Sequence, residues 1–253
     1  MSARRALLDR LIDHAALFPP ASLSMEAALD VDGWARSTPE AWLLHRFLTP
    51  ASQLGAVPAE HDVTLGVIVD GELPEALDPR VDTLETRLER AALVEGRDAQ
   101  VFLEVWPGDA AKLSEVADRG AGAKVRCGGA TPDMFPSPGE LAAFMIGCRE
   151  LGLAFKATAG LHHPVRDGIV HGFLNLLGAA ALAHAGGAGE RELIDVLLLE
   201  DARAFSVTDD AFSVAGRAFG AQEVAAMRAE LFAGFGCCSF SEPVEDLKGL
   251  RIL

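Results

Sequence analysis

The sequence lacks the cysteine spacing that holds small secreted domains or zinc sites together. Its four cysteines form no Cys-x-x-Cys pair, and Cys237 and Cys238 are adjacent in the chain. Neither a zinc ribbon nor a disulfide framework fits this spacing. A chain of 253 residues that is 50% hydrophobic can build a sizeable core without such crosslinks. We therefore expect a single domain over residues 1–253, in which Cys237 and Cys238 are small buried residues.

Positive charge is also scarce. The formal net charge is −15, which argues against nucleic acid and anionic membranes as partners, because both need a basic surface. The first residues lack the apolar run of a signal peptide, so we expect a cytoplasmic protein. Residues 168–189 carry no charged side chain, but they include His171, Asn175 and His184. This composition favours a helix buried against a sheet over a membrane span.

No glycine-rich phosphate loop of the GxGxxG or GxxxxGK[ST] type occurs. The chain instead alternates short apolar strand patterns with helical patterns. Strands are predicted at 15–19, 43–49, 64–70, 83–88, 101–106, 123–128, 154–160 and 238–242. Helices are predicted at 4–12, 110–119, 138–151, 168–185, 222–232 and 244–250, and Ser24 is predicted as the N-cap of a further helix.

Eight strands alternating with helices in about 250 residues predict an α/β fold, the (β/α)8 TIM barrel. A doubly wound open sheet is the main alternative, although it usually has a glycine-rich loop after its first strand. Residues 205–214 alternate apolar and polar side chains around Asp209 and Asp210. This pattern predicts a small β-hairpin inserted near the end of the barrel.

The chain has only four lysines, yet two of them lie inside apolar strand patterns. Because strand side chains alternate between faces, these patterns predict which residues point into the barrel. The predicted inward residues are Lys124, Arg126, Lys156, Thr158, Glu85, Arg87 and Glu104, and Arg46 has an ambiguous phase. Buried charges cost several kcal/mol each unless they are paired. Two interpretations follow, an active site at the strand C-termini or a stabilising ion-pair network.

The turns after the two lysine strands favour an active site. Gly128, Gly129 and Gly160 would let the backbone approach a ligand closely. The loop after Gly160 also carries His162, His163 and Arg166, which are candidate catalytic and binding residues. Alternatively, His162 caps a helix and His163 is merely solvated. Ser239, on the last predicted strand, is a further candidate for substrate contact.

The segment Lys156-Ala-Thr-Ala-Gly160 is similar to the Lys-Ala-Ser-Gly-Gly type segment of deoxyribose-phosphate aldolase, a class I aldolase barrel. The resemblance covers residues 124–166. It implies that Lys124 lies where the family's imine-forming lysine lies, and that Lys156 is the second lysine. The family's Lys-Thr-Ser/Thr-Gly segment is replaced here by Lys124-Val-Arg-Cys-Gly, and its acidic proton relay has only a loose counterpart in Glu85 or Glu104. Residues 155–164 also resemble a bacterial family without an assigned activity.

A lysine becomes nucleophilic when burial or nearby cations lower its pKa, and we expect Lys124, Lys156 and Arg126 to affect one another in this way. Glu104 or Glu85 would shuttle protons. Arg126 and Arg166 would hold a carboxylate or phosphate. We therefore predict a lyase or isomerase that acts on a small anionic carbonyl compound, a keto acid or sugar phosphate, through a barrel lysine and without a cofactor.

Three alternatives remain open. The first is a metal-dependent lyase, hydrolase or isomerase, with ligands drawn from His14, His162, His163, Glu104, Glu85 and Asp70. The second is imine-free chemistry, in which lysines and arginines stabilise an enolate and His162 or His163 is the base. The third is a non-catalytic ligand-binding barrel that forms a homo-oligomer, with residues 193–199 and 232–235 packed between subunits.

Overall fold

The computed structural model describes residues 1–109 and 111–253 and contains a closed barrel of eight parallel strands. The barrel strands are β1 (Ile12–His14), β2 (Leu44–Pro50), β3 (Leu65–Ile68), β4 (Val81–Arg87), β5 (Gln100–Val105), β6 (Gly122–Arg126), β7 (Phe155–Thr158) and β11 (Phe232–Cys237). They follow one another around the barrel, and β11 closes it against β1. The predicted (β/α)8 barrel is confirmed.

In the described part of the chain, eight α-helices surround or cap the barrel. They are α1 (Ala3–Leu8), α2 (Met25–Ser37), α3 (Ala111–Asp118), α4 (Pro138–Leu151), α5 (Phe173–Ala185), α6 (Glu190–Leu197), α7 (Ala221–Glu230) and α8 (Ser241–Gly249). Short 3-10 helices occupy the positions after β2 and β4, at Ala51–Ala56 and Leu88–Leu93. The predicted helix start at Ala110 lies outside the described residues. No helix within the described ranges is long and apolar enough to cross a membrane.

Local sequence explains where several helices begin. The Ser24 side chain accepts a hydrogen bond from the backbone N–H of Ala27, which confirms it as the N-cap of α2. The α4 helix begins with a capping box between Ser137 and Glu140 and ends at Gly152, whose φ is +65°. These signals are local, and they coincide with the bounds that the helical spacing of apolar residues predicted for α4.

The first and last barrel strands differ from the prediction. The first strand is Ile12–His14 rather than 15–19, and the last is Phe232–Cys237 rather than 238–242. The last strand contains two glycines, so its sequence lacks the run of β-branched or aromatic residues that predicts a strand. The predicted helix 222–232 therefore ends earlier, at Glu230, and Ser239 follows the strand instead of lying on it.

The predicted hairpin is part of a three-stranded antiparallel sheet. Its strands are β8 (Phe205–Val207), β9 (Ala211–Val214) and β10 (Arg217–Gly220). The alternation in residues 205–214 indicated the first two strands. The sequence pattern did not predict the third strand, β10. It follows a turn at Ala215 and Gly216, both of which have positive φ.

The main apolar core lies between the barrel and its helices. Leu84, Leu103, Val125, Phe155 and Ala157 face outward into this core. The segments expected to pack between subunits are also largely buried within the chain itself, including Leu193, Val196, Leu197, Phe232 and Phe235. That expectation is wrong for these residues. The barrel interior is different, because charged side chains line much of it.

Candidate active site inside the barrel

Strand alternation places two lysines side by side inside the barrel. Lys124 of β6 is in register with Lys156 of β7, and both side chains are buried. Their strand neighbours Val125 and Ala157 point the other way, into the outer core. The inward positions of both lysines agree with the sequence prediction.

The lysines belong to a chain of eight side chains with alternating charge, which we call the charge chain. In order, its members are Arg126, Glu104, Lys124, Glu85, Lys156, Asp13, Arg46 and Asp82. The distances are 3.5 Å for Arg126–Glu104, 3.3 Å for Glu104–Lys124, 2.8 Å for Lys124–Glu85, 3.5 Å for Asp13–Arg46 and 2.5 Å for Arg46–Asp82. Lys156 contacts both Glu85 and Asp13. Six strands contribute, and every charge has an opposite neighbour.

The charge chain follows the barrel axis. Arg126 is the last residue of β6, whereas Asp82 is the second residue of β4, so they lie towards opposite ends of the barrel. Both end residues are partly exposed, and Lys124, Glu85, Lys156 and Asp13 between them are buried. The charge chain therefore links the C-terminal mouth of the barrel to its N-terminal end.

Small and apolar side chains make room for these charges. A Cβ at Gly66 of β3 would lie 2.6 Å from the Leu48 side chain and 3.2 Å from that of Arg46, so a larger residue there would displace these two side chains. The Lys156 ammonium lies 5.6 Å from the centre of the Phe102 ring, within range of a cation–π interaction. Lys156 thus lies against an aromatic face as well as two carboxylates.

The carboxylates inside the barrel are held in their ionised forms. Burial alone would raise the pKa of Glu85, but Lys124 and Lys156 lower it to about 2. Burial likewise opposes ionisation of Asp13, whose pKa is held below its usual value by Lys156 and Arg46. These anions balance the neighbouring ammonium and guanidinium groups.

The pKa of Lys124 moves in the opposite direction to our expectation. Burial favours the neutral amine, but Glu85 and Glu104 outweigh burial and raise the pKa of Lys124 above its usual value. From the neighbouring cations we expected a lowered pKa. In the structure Glu85 and Glu104 contact Lys124 at 2.8 Å and 3.3 Å, and this pairing depends on the folded structure.

Asp13 and Asp82 are the members of the charge chain that sequence reasoning missed. Asp13 lies in the middle of a three-residue strand, which is too short to show alternation. Its carboxylate also accepts a hydrogen bond from the backbone N–H of Arg46, at 3.1 Å. The signal that could have found it is an acidic residue directly after Leu11-Ile12. Arg46, whose phase was ambiguous, points inward.

At the C-terminal mouth, the predicted binding residues are only partly assembled. Arg126 and Thr158 are in register at the ends of β6 and β7, and both are partly exposed. Arg87 ends β4 and is exposed. Ser239 accepts a hydrogen bond from the backbone N–H of Glu242, in the first turn of α8, at 3.3 Å.

The glycines after β6 and β7 bring two loops together. A Cβ at Gly128 would lie 3.0 Å from Cα of Gly160, and one at Gly129 would overlap the Met134 side chain. We expected these glycines to give a ligand access to the backbone. Their close contacts are with protein atoms, because the two loops pack directly on each other. Gly160 and Ala159 also both have positive φ, so the turn after β7 is sharp.

The two adjacent histidines of the next loop face different partners on α8. His162 Nδ1 lies 2.5 Å from a Glu242 carboxylate oxygen, and its Nε2 lies 3.7 Å from Sγ of Cys238. His163 is largely exposed and lies 2.7 Å from an oxygen of Asp246. The side chain of Arg166 contacts His171 at 3.2 Å, and its backbone N–H donates to Asn175. The structure gives neither His163 nor Arg166 a contact with the charge chain.

The candidate metal ligands are not gathered at one point. Asp70 accepts hydrogen bonds from the hydroxyl and backbone N–H of Ser52. His14 points outward and lies 2.8 Å from Asp32 of α2. Among residues 1–109 and 111–253, no group of three His, Cys, Asp or Glu side chains is placed to hold a metal ion.

Two cavities lie at the opposite end of the barrel from the mouth. One, of about 490 Å³, is lined by the N-terminal end of the charge chain, including His45, Arg46 and Asp82. Burial lowers the pKa of His45 to about 4 despite the nearby Asp13. The other, of about 420 Å³, lies beside the starts of β5, β6 and β7. Active sites of such barrels lie at the strand C-termini, so neither cavity is our candidate site.

No family model and no curated protein matches the sequence of this chain. The fold places the protein among the (β/α)8 barrels, and its function is inferred from side-chain geometry.

Proposed function

We propose that this barrel is a lyase that breaks or forms a bond next to the carbonyl group of a small anionic compound, with Lys124 as the reactive amine. The observation that carries this proposal is the pair of in-register lysines that share Glu85. A barrel interior is ordinarily filled with Val, Ile and Leu, so two lysines there need a reason. The resemblance to class I aldolases at residues 124–166 supports the same chemistry.

Lys124 is the better nucleophile of the two because of its position. Its side chain is 7% exposed, against 2% for Lys156, and it lies nearer the mouth through its contact with Glu104. Glu104, which lies 3.3 Å from Lys124 and is partly exposed, is the carboxylate placed to relay its proton towards solvent. Arg126, one-third exposed at the end of β6, is placed to bind the carboxylate or phosphate of a substrate. Lys156 would keep a positive charge beside the reacting carbon.

The reaction begins when the Lys124 ammonium loses a proton to solvent base. The neutral amine then attacks the substrate carbonyl carbon, and water leaves as the imine forms. The Cα–Cβ bond next to the protonated imine breaks and its electron pair forms an enamine, while the β-hydroxyl loses a proton and departs as a carbonyl compound. A proton then returns to Cα, and water hydrolyses the imine to release the second product and Lys124. Because the pKa of Lys124 is raised, the neutral amine is a minor species at pH 7. Imine formation is therefore expected to accelerate with rising pH.

The second candidate function is imine-free lyase or isomerase chemistry. The raised pKa of Lys124 favours it, because an ammonium that stays charged stabilises an enolate electrostatically. Both candidates take the same class of anionic carbonyl substrate. They differ in whether a covalent bond to lysine forms.

Reductive trapping separates the two candidates. The protein is incubated with a panel of keto acids, aldehydes and sugar phosphates, borohydride is added, and intact and peptide masses are measured. An adduct on Lys124 that disappears in Lys124→Arg supports imine chemistry. Substrate turnover that is lost in Lys124→Met and retained in Lys124→Arg, without any adduct, supports the second candidate. Absence of both adduct and turnover for the whole panel rejects both.

A further inference from the structure

A second reactive group lies at the mouth of the barrel, separate from the charge chain. His162 follows β7, Cys238 directly follows β11, and Glu242 lies in the first turn of α8. Since β7 and β11 are adjacent parallel strands, their C-terminal loops meet at the same edge. The three side chains come from three loops or elements, and they meet around the imidazole ring of His162.

The two ring nitrogens of His162 have different partners. Nδ1 lies 2.5 Å from a carboxylate oxygen of Glu242, which can only accept a hydrogen bond when ionised. Nδ1 therefore carries the proton. Nε2 faces Sγ of Cys238 at 3.7 Å, where it can accept or return the thiol proton. This order of thiol, imidazole and carboxylate is that of a nucleophile with an oriented base.

Exposure distinguishes the two adjacent cysteines. Cys237 ends β11 and is buried, and its sulfur lies 3.9 Å from Nδ1 of His162, on the side of Glu242. Cys238 is partly exposed and lies on the Nε2 side. Cys238 is therefore the thiol that a small molecule entering the mouth can reach.

The surroundings also favour an ionised sulfur. Burial would raise the pKa of the Cys238 thiol, but His162 and the backbone N–H of Ala21 lower it. Contacts with Cys237 and Cys238, together with Glu242, raise the pKa of His162 to about 11. A thiolate facing an imidazolium is the resting state that these contacts stabilise.

We propose that Cys238, His162 and Glu242 form a nucleophilic triad that transfers the acyl group of a small carboxylic ester or thioester to Cys238. A thiolate beside a protonated imidazole supplies a nucleophile and a proton for the leaving group. Cleavage of a C–C bond at a lysine uses neither group, so this activity is independent of the proposed lyase.

The reaction balances with water as the only co-reactant. Sγ of Cys238 bonds to the carbonyl carbon, the bond to the leaving oxygen or sulfur breaks, and Nε2–H of His162 protonates the leaving group. Water then gives a proton to Nε2 and attacks the thioester carbonyl. The bond to Sγ breaks, which releases the carboxylic acid and restores the thiolate–imidazolium pair. Glu242 acts as a positioning residue that holds the ring of His162.

The test uses p-nitrophenyl acetate with the full-length protein. We expect a burst of nitrophenolate of about one equivalent and one acetyl group on the Cys238 peptide. The Cys238→Ser variant should lose both signals, whereas Cys148→Ala, at a buried cysteine of α4, should keep them. Acetylation confined to other residues, or no acetylation at all, overturns the proposal.

Alkylation by iodoacetamide between pH 5 and pH 9 tests the ion pair. We expect Cys238 to react in the wild-type protein well below the usual thiol pKa of about 8.5. The His162→Gln variant should return the profile to that value and lower the acylation rate at least about 100-fold. Glu242→Gln should shift the profile less far in the same direction. His184→Gln, which breaks the pair between His184 of α5 and Glu230 of α7, should leave the profile unchanged.

Two results would contradict the proposal in different ways. A wild-type profile centred near pH 8.5 and unchanged in His162→Gln overturns the triad. Rapid alkylation of Cys238 at pH 6 without any acetyl transfer overturns the acyl-transfer activity. Thermal unfolding of each variant is measured in parallel, so that loss of the fold is distinguished from loss of the thiolate–imidazolium pair. Failure of this test leaves borohydride trapping at Lys124 unaffected.

Discussion

Glu85 is the central anion of the charge chain, because both lysines contact its carboxylate. It is 1% exposed and comes from β4, whereas the lysines come from β6 and β7. A buried carboxylate in this position offsets two positive charges that no solvent can screen. Its replacement therefore affects three side chains together.

The Glu85→Gln substitution should lower the free energy of unfolding by about 3–5 kcal/mol, because it leaves two buried ammonium groups with one fewer anion. Urea denaturation monitored by circular dichroism measures the change. Glu115→Gln is the matched control, since Glu115 pairs with Arg119 on the surface of α3 and should contribute less than about 1 kcal/mol. Equal losses in the two variants would contradict the importance of the buried pairs.

Strand alternation alone predicted that Lys124, Lys156, Glu85 and Glu104 face the barrel interior. It could not predict their partners, because pairing across strands β1, β4 and β7 depends on barrel closure and register. The predicted direction of the Lys124 pKa shift was wrong for this reason. Cys238 was predicted only as a small buried residue, but it is partly exposed and contacts His162, which lies 76 residues earlier in the chain.

At the scale of elements, the two loops after β6 and β7 are fixed by direct packing of Gly128 on Gly160. Gly160 has a φ of +72°, a conformation that strains any other residue. Because the same loop leads to His162, the position of that ring depends on this contact. The loops are thus part of the framework that holds the mouth of the barrel in shape.

The Gly160→Ala substitution should cost more stability than Gly152→Ala. Both residues have positive φ, so each substitution carries a backbone strain of about 1–2 kcal/mol. A Cβ at Gly152 would meet no described atom within 4 Å, whereas one at Gly160 would lie 3.2 Å from Gly128 Cα. Chemical denaturation of the two variants isolates the loop contact. Equal costs would show that strain alone matters.

Local signals determined how well each element could be predicted. The α4 helix has a capping box and a terminal glycine, and its predicted bounds were correct. The β1 strand has three residues, and β11 reads Phe-Ala-Gly-Phe-Gly-Cys, so neither shows a periodic pattern. Their positions are set by pairing with each other, with Asp13 in register with Gly236. Sequence periodicity contains no information about that pairing.

At the scale of the whole molecule, the charge chain replaces part of the apolar filling of the barrel. It joins strands β1, β2, β4, β5, β6 and β7 across the interior. The fold thereby becomes dependent on ionisation of its carboxylates. This dependence applies to the charge chain in a catalytic role and in a structural role.

Acid should destabilise the protein as pH falls below 4.5, because Glu85 then loses the ionised form that both lysines contact. The folded pKa of Glu85 is about 2, below its ordinary value of 4.5. Its contribution, on the order of 3 kcal/mol, is therefore present above pH 4.5 and lost as pH falls towards 2. Urea midpoints measured from pH 6 to pH 2.5 should fall steeply below pH 4.5. The Glu85→Gln variant should show a shallower decline, and parallel curves would contradict this assignment.

The most direct test of the functional lysine is the pH dependence of borohydride trapping at peptide resolution. The four lysines provide internal controls, because Lys112 and Lys248 are exposed and Lys124 and Lys156 are buried. With an adduct-forming keto acid or sugar phosphate, we predict modification at Lys124, with a rate that rises about tenfold per pH unit between pH 7 and pH 9. Modification confined to Lys112 and Lys248 would contradict the proposed imine chemistry.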